Sequence, residues 1–379
     1  MKKGLVIIGS NQYGVVSEFI NGIRQDLQSL NMTTELLDLN SQSSIEYQAS
    51  REDRFDEFDF FFSFNAVGLD LSFNGMMLTE VMKRKPVFVF LVDHPLHLIT
   101  RFIGLNVILL CVDQEHVGFA QLCGIRAHFF PHAVPADMVA GPTEFSGMEH
   151  KDGILFPASY FDTAQWRQKL QPVWHQVGHF LENCQSVTRF MQHLQVLPSG
   201  NKPATVGLDH NIQLLSIYAD FYIRGRQREK ILQLCQDSGL AITVVGNGSQ
   251  EYKNRFPLHQ YLDAVPFKKL LSLIQSARFV LHNSPGFELG LHERIVYPMA
   301  LGTPVVCDLL ARPDRILGAD YQLLTINNIA GMNSAQYLQI QHENLAMIRQ
   351  RHTWRYQLQS LMREYHLLAE TSAQAVASC

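Results

Sequence analysis

FVLHNSPGFELGLHERIVYPMALGTPVVCD, running from Phe279 to Asp308, decides the fold. An apolar run ends at His282-Asn283, and a loop with Pro285, Gly286 and Gly290 follows. Helical spacing begins near Leu291-His292 and stops before Gly302, and Thr303-Pro304 opens a further apolar run. Strand, glycine-bearing loop, helix and strand in this order make a βαβ unit. The loop turns backbone N–H groups and the positive end of the helix dipole toward one spot, which suits a diphosphate. His292 and Arg294 stand beside that spot, able to neutralise charge developing on a departing phosphate. The same spacing also fits an ordinary βαβ turn with a surface arginine.

Outward from this unit, short apolar runs alternate with longer amphipathic stretches, the pattern of parallel sheets. In the first half it predicts strands at Gly4–Ile8, Thr34–Leu39, Phe58–Phe64, Val87–Val92, Val107–Val112 and Ala127–Phe130. In the second half it predicts Ile154–Phe156, Ala241–Val245, Phe279–His282, Pro304–Cys307 and Gln322–Ile326. Single helices are expected over Ala164–Cys184, Ile212–Cys235, Phe267–Gln275, His292–Leu301 and Ser334–Ala369. The Gly-rich, polar stretch Val139–Gly153 reads as a linker. This divides the chain into an N-terminal Rossmann-like domain (1–145), a C-terminal one (150–350), and a terminal helix and tail (351–379) able to cross back to the first domain.

Composition agrees with this layout. A chain of 379 residues suits two domains, and 46% hydrophobic residues suffice for two cores. Charged residues are only 17%, which excludes a disordered, charge-solvated chain. A net charge of −4 gives no basic footprint for nucleic acid. The six cysteines form no CxxC pair, which fits a reducing cytoplasm. The opening MKKGLVIIGS is too short in apolar residues for a signal peptide and reads as a first strand. The apolar region Val87–Val112 is broken by Asp93, His94, His97 and Arg101, so two buried strands are expected and not a transmembrane segment. Association with a membrane surface stays open.

In open α/β sheets, ligands bind beyond the carboxyl ends of the strands. Here those ends carry Gly9-Ser10-Asn11, Asn65, Asp93-His94 and Pro131-His132 in the first half. In the second they carry Ser159-Tyr160, Gly246-Asn247-Gly248, Asn283-Ser284, Asp308 and Asn327. Two such edges imply a cleft between two domains. Asp93 or His94, ending a very apolar strand, could serve as a general base, with His132 next in line. An apolar setting would raise the Asp93 carboxyl toward neutrality. The basic cluster Arg224, Arg226, Arg228 and Lys230 cannot all share one helix face, and Arg224 is the candidate to reach the cleft. No Asp-x-Asp follows a strand and no GxxxxGK[ST] occurs, so neither a metal-bridged donor nor a nucleoside triphosphatase is indicated. His175 and His179 lie at i, i+4 but lack a glutamate base between them.

Asn283, Pro285, Gly286, Gly290, His292, Glu293, Arg294, Met299, Ala300, Gly302, Pro304 and Val305 together resemble the donor-binding signature of bacterial group 1 GT-B glycosyltransferases. The resemblance is nearest to the spore-maturation-protein-like branch. Ala219–Leu234, Val244-Val245-Gly246, Asp152–Tyr160 and Arg351–Met362 resemble further segments of that branch, so the likeness spans roughly Asp152–Met362. It implies two Rossmann-like domains facing across a cleft, and transfer of a sugar from a nucleotide-diphosphate donor to a glycan or protein acceptor. It further implies no cofactor and no metal. The C-terminal domain would hold the donor through Ser159, Tyr160, Arg224, Gly246, Asn247, Asn283, Gly290, Leu291, His292 and Glu293, with Arg294 stabilising the departing diphosphate. Gly9, Ser10, Asn11 and Asn65 would shape the acceptor side, and Asp93, His94 or His132 would supply a base if the enzyme inverts. Two departures stand out. Tyr297 replaces a glutamate that holds the donor ribose in many members, and Pro298 falls inside the predicted helix, where it should shorten or distort it. A nucleotide-sugar epimerase of the same fold, or a catalytically silent GT-B binding subunit, are the alternative readings.

Overall fold

The computed structural model describes residues 1–9, 12–40, 55–69, 71–73, 76–81, 83–141, 144–145, 147–197, 209–283, 286–308, 313–318 and 321–368. The expected site residues Ser10 and Asn11, the Ser284-Pro285 turn and the tail Ser372–Cys379 lie outside the described residues.

Chain order through the first half gives β1 (Lys2–Ile8), β2 (Met32–Asp38), β3 (Phe60–Phe64), the short antiparallel pair β4 (Ser72–Phe73) and β5 (Met76–Met77), β6 (Val87–Leu91), β7 (Ile108–Cys111) and β8 (Arg126–Phe129). Six of these form one parallel sheet in the order β2-β1-β3-β6-β7-β8. The strands FFFSF and VFVFL are apolar without alternation because both faces of the sheet are covered. Val6, Phe62, Phe88, Phe90 and Leu110 face helix Val15–Ser29 and the terminal helix Trp354–Glu364. Leu5, Ile7, Phe61, Val89 and Leu109 face helices Gln114–Leu122 and Val187–His193.

The second half contributes β9 (Asp152–Pro157), β10 (Thr243–Val245), β11 (Gln260–Leu262), β12 (Ala277–His282) and β13 (Val305–Cys307). They pair in parallel in the order β11-β10-β9-β12-β13. The strand order therefore turns round between β9 and β12, which places a topological switch point at their carboxyl ends. Helix His210–Asp237 covers one face through Ile231, Leu232 and Cys235, and helix Phe267–Ser276 covers the other through Ile274.

Several expected elements differ. Edge strand β11 was not foreseen, since three residues carry too little pattern. Gln322–Ile326 forms no strand; it adds only a parallel bridge between Val306 and Leu324. Ala164–Cys184 is not one helix. Helices Thr163–Leu170 and Trp174–Leu181 meet at a 3-10 turn around Pro172, which cannot donate to the ladder. The last stretch is likewise two helices, Ser334–Arg351 and Trp354–Glu364, parted where Thr353 bridges Val134 and caps the second helix by accepting from Tyr356 N–H at 3.3 Å. Helix Glu293–Ala300 keeps Pro298 inside it and ends two residues later.

The two halves share an apolar core. The Phe19 ring lies 6.0 Å from the ring centres of Phe267, Tyr297 and Trp354. The terminal helix is anchored on the first half, with Trp354 N–H donating to Val134 O at 2.9 Å and Arg355 N–H to Asp26 Oδ2 at 2.8 Å. No helix among the described residues is long and apolar enough to cross a membrane.

Candidate active site

Beyond the carboxyl ends of β9 and β10 opens a cavity of about 370 Å³, walled by residues of both halves. Its floor depends on one glycine. A Cβ at Gly246 would lie 2.3 Å from Ala158 O and 2.7 Å from Ser159 N, so the loops after β9 and β10 could not pass with any larger residue.

His292 caps helix Glu293–Ala300 with Nδ1, which accepts from Arg294 N–H at 3.3 Å. The Ile295 N–H is taken by His292 O at 2.9 Å. The helix start therefore offers fewer free N–H groups than the sequence suggests, and guanidinium groups supply the positive charge. Arg294 folds back across the switch point, its Nη1 donating to Pro157 O at 2.7 Å and its Nη2 lying 3.0 Å from His292 Nε2. Burial, with the charges of Arg294, Arg228 and Arg224 around it, pushes His292 well below the usual histidine range. Its Nδ1 also meets Glu293 Oε2, so its place in the site is that of a helix cap, with the arginines carrying the positive charge.

Arg228, from helix His210–Asp237, reaches the same cavity. It is 7% exposed, lies over the Phe161 ring at 4.5 Å and donates to Ser159 O. Burial pushes it down to about 9, and the charges of Arg294 and Arg224 add to this. It makes no ion pair among the described residues. Among the described residues the one acidic partner of Arg294 is Glu293, 3.9 Å away. Two buried guanidiniums thus converge with little compensating negative charge, an arrangement an anion would complement.

The first half contributes Asp93 and Tyr13. The Asp93 side chain is 51% exposed and its Oδ1 accepts from Arg224 Nη1 at 2.9 Å, so the apolar burial expected for this carboxylate is absent. Arg224 itself is spent on ion pairs. Its Nε lies 2.9 Å from Asp220 Oδ2, which also meets His97 Nε2 at 2.8 Å. Burial alone would raise Asp220, but Arg224 and His97 outweigh it and hold the carboxyl well below its usual range.

Of the residues singled out from sequence, the cavity is lined by Asp93, Ser159, Arg228, Gly246, Asn247, His292, Glu293, Arg294 and Tyr297, the last standing where the resemblance places a ribose-holding glutamate. The others sit apart from it. His94 is buried, its Nδ1 accepting from Leu96 N–H at 3.1 Å as a 3-10 cap and its Nε2 lying 3.2 Å from Thr188 Oγ1. His132 is buried between Phe19 and Phe90 and pushed by burial down to about 4, with Nε2 3.6 Å from Glu293. Tyr160 packs edge-on against Tyr252. Leu291 is core, and Gly290 bridges to Asp113. Asn65 turns the chain at φ 47 and accepts from Val92 N–H at 3.3 Å, while Gly9 packs on Val67. Asn283 is buried at the switch point with no hydrogen-bond partner for its amide among the described residues.

The sequence reading overlooked Tyr13, the apolar wall Val265, Phe267, Leu270 and Ile274, and the role of Arg228. Arg228 had a signal, because Arg224 and Arg228 are i, i+4 and share a helix face. Tyr13 is 41% exposed and held at φ 57 beside Gly14 at φ 75, a left-handed pair invisible in hydropathy.

No protein-family model and no curated protein matches the chain by sequence. Solved structures match it in shape. T4 phage BGT, solved with its UDP-glucose substrate, is 11% identical, with 96% of this chain and 99% of that one covered at a TM-score of 0.55. Anabaena HepE, solved with UDP and glucose, is 12% identical over 97% and 100% at 0.50. Sucrose-phosphate synthase from Thermosynechococcus elongatus is 8% identical over 97% and 99% at 0.51. Two parallel-sheet α/β halves matching these chains over nearly their full length give this protein the GT-B architecture.

Proposed function

We propose that the protein is a glycosyltransferase, moving a sugar from a nucleoside-diphosphate donor to a hydroxyl of a glycan or protein. The observation that carries this is the convergence of Arg228 and Arg294 at the end of one sheet, facing Asp93 from the other half across a single cavity. The diphosphate lies against the two guanidiniums, the base against the apolar wall from Val265 to Ile274, and the sugar toward Asp93. The acceptor oxygen attacks the anomeric carbon while the bond to the diphosphate oxygen breaks. The electron pair leaves with the diphosphate, whose growing charge Arg228, Arg294 and the helix dipole stabilise without a metal. Asp93 takes the acceptor's proton, and attack from the face opposite the departing diphosphate inverts the anomeric centre. The run from Asn283 to Val305 supports kinship with the spore-maturation-like branch of bacterial group 1 enzymes, and the free thiols Cys111, Cys123, Cys184, Cys235 and Cys307 support a cytoplasmic setting. UDP-glucose in the neighbouring structures supports a nucleotide-sugar donor.

The test is a panel of nucleoside diphosphates and their sugars, scored by calorimetry and by transfer, with and without a chelator. A ligand at a hundred times its Kd stabilises by about 2.7 kcal/mol. Arg294→Ala should lower turnover roughly 10²–10³-fold. Asp93→Asn should abolish transfer while donor binding persists, a loss of about 10²–10⁴-fold. Product from the donor alone would favour an epimerase. Activity lost in chelator and restored by magnesium would overturn the metal-free mechanism, and wild-type transfer by Asp93→Asn would overturn its role.

A further inference from the structure

Asp113 follows β7 and is fully buried between the two halves. Its carboxylate oxygens serve different halves. Oδ1 accepts from Glu115 N–H at 2.7 Å and caps helix Gln114–Leu122. Oδ2 accepts from Leu289 N–H at 2.8 Å, in the loop that leads to His292. Gln114 N–H returns a bond to Leu289 O at 3.2 Å, and Asp113 and Gly290 form an antiparallel bridge. A Cβ at Gly290 would lie 2.6 Å from Val112 O, so only glycine permits this approach. One helical turn on, His116 Nε2 lies 3.3 Å from Gly286 O.

The placement is costly for a helix cap alone. Burial pushes Asp113 up to about 7, and Glu115 and Glu288 add repulsion that the two N–H bonds only partly offset. Arg189 lies beyond them, paired to Glu288 at 2.6 Å, and Cys111 lies below on β7. An exposed Ser, Thr or Asp caps a helix as well without that burial. What the burial adds is the second oxygen on Leu289, three residues before His292.

We propose that Asp113 is a positioning residue for the donor. Its carboxylate latches the Gly286–Leu291 loop onto the N-terminal sheet, so that closure of the two halves and the setting of His292 and Arg294 around the diphosphate are one event. This rests on the reading of the cavity as a donor site.

Asp113→Ser separates the two oxygens, since serine caps Glu115 but is too short to reach Leu289. Gly290→Ala pushes the same contact apart from the other side. Hydrogen exchange at Leu289 is measured without ligand, and affinity for UDP and for inorganic diphosphate by calorimetry, with thermal melting alongside. The latch predicts exchange at Leu289 about tenfold faster and probe binding about tenfold weaker in both variants, the worth of one charge-assisted hydrogen bond. It also predicts a melting temperature for Asp113→Ser close to wild type. Wild-type exchange and affinity in Asp113→Ser would overturn it, as would a loss of affinity with unchanged exchange. Failure of the wild-type protein to bind either probe would overturn the donor reading instead, and the exchange comparison would still decide whether the loop is latched.

Discussion

Arg224 and Arg228 stand one turn apart on the same face of helix His210–Asp237, Arg228 buried and the Arg224 side chain 12% exposed, and their surroundings are opposite. Around Arg224, Asp220 and Asp93 outweigh the effect of burial and hold the guanidinium more firmly charged than usual. Around Arg228 there is a carbonyl, an aromatic face and a second arginine, and burial drives it down to about 9. The first arrangement is complete and ties the helix to Asp93 of the other half. The second has no acidic partner among the described residues, and on the proposed reading the donor diphosphate supplies one.

The sharpest way to break this contrast is to replace each arginine by methionine. Removing Arg224 leaves Asp220 buried with only His97 beside it, and breaking such a pair costs about 3–5 kcal/mol. Removing Arg228 takes away an uncompensated buried charge, so ligand-free Arg228→Met should melt at or above the wild-type temperature while turnover falls roughly 10²–10³-fold. Thermal melting and donor calorimetry on both variants check this. If Arg228→Met melts well below wild type and Arg224→Met does not, the assignment of structural and functional cation is reversed.

The same contrast explains what the sequence could and could not disclose. The parallel strands and the two-sheet layout follow from Phe279–Asp308 and the apolar runs around it, because a buried parallel strand leaves an unbroken signature, whereas the strand order came only with the structure. Strand β11 depends on edge pairing and the break at His352-Thr353 on a bridge to Val134, while the break at Pro172 was a local proline signal that the sequence reading passed over. Among site residues, Arg294, His292 and Asp93 were legible as strand-end and helix-start positions. Their states were not. Burial first, and then the nearby arginines, push His292 well below its usual range, and Asp93 stays half exposed while Arg224 from the other half pairs with it. His94, its neighbour in sequence, turns inward to cap a 3-10 turn. The surroundings of each group are a property of the assembled site, and residues distant in sequence set them.

A second comparison is between the two walls of the cavity. On the C-terminal wall Arg228 and Arg294 are held by hydrogen bonds to Ser159 O and Pro157 O, whereas Tyr13 on the opposite wall is 41% exposed and held in a left-handed backbone. Strain kept beside a cavity points to a working position. Tyr13→Gly relieves the backbone and removes the ring. It should raise the KM for acceptor by about tenfold at most, since one aromatic contact is worth about 0.5–1.5 kcal/mol, and leave donor affinity unchanged. Stability should hold or rise slightly. A matching loss of donor affinity would place Tyr13 on the donor and remove the distinction between the walls.

The smallest expected effect tests whether the halves are closed in solution as they are here. Asp113 sits at about 7 in the folded protein, against an ordinary carboxyl near 3.8. Between those values the folded protein keeps a proton that the unfolded chain has released. Its contribution therefore favours folding at low pH and is lost as pH rises through about 7. Asp113→Asn carries no such proton. From about pH 6.5 to about pH 7.5 wild type should lose stability relative to the variant, by less than about 1.4 kcal/mol, the ceiling for one proton over one unit. Melting curves of the two proteins across that window, compared as a difference so that other titrating groups cancel, give the measurement. A difference that does not change with pH would mean that Asp113 titrates as an exposed carboxylate. Leu289 would then lie away from it, and the two walls of the cavity would stand apart until a donor brings them together.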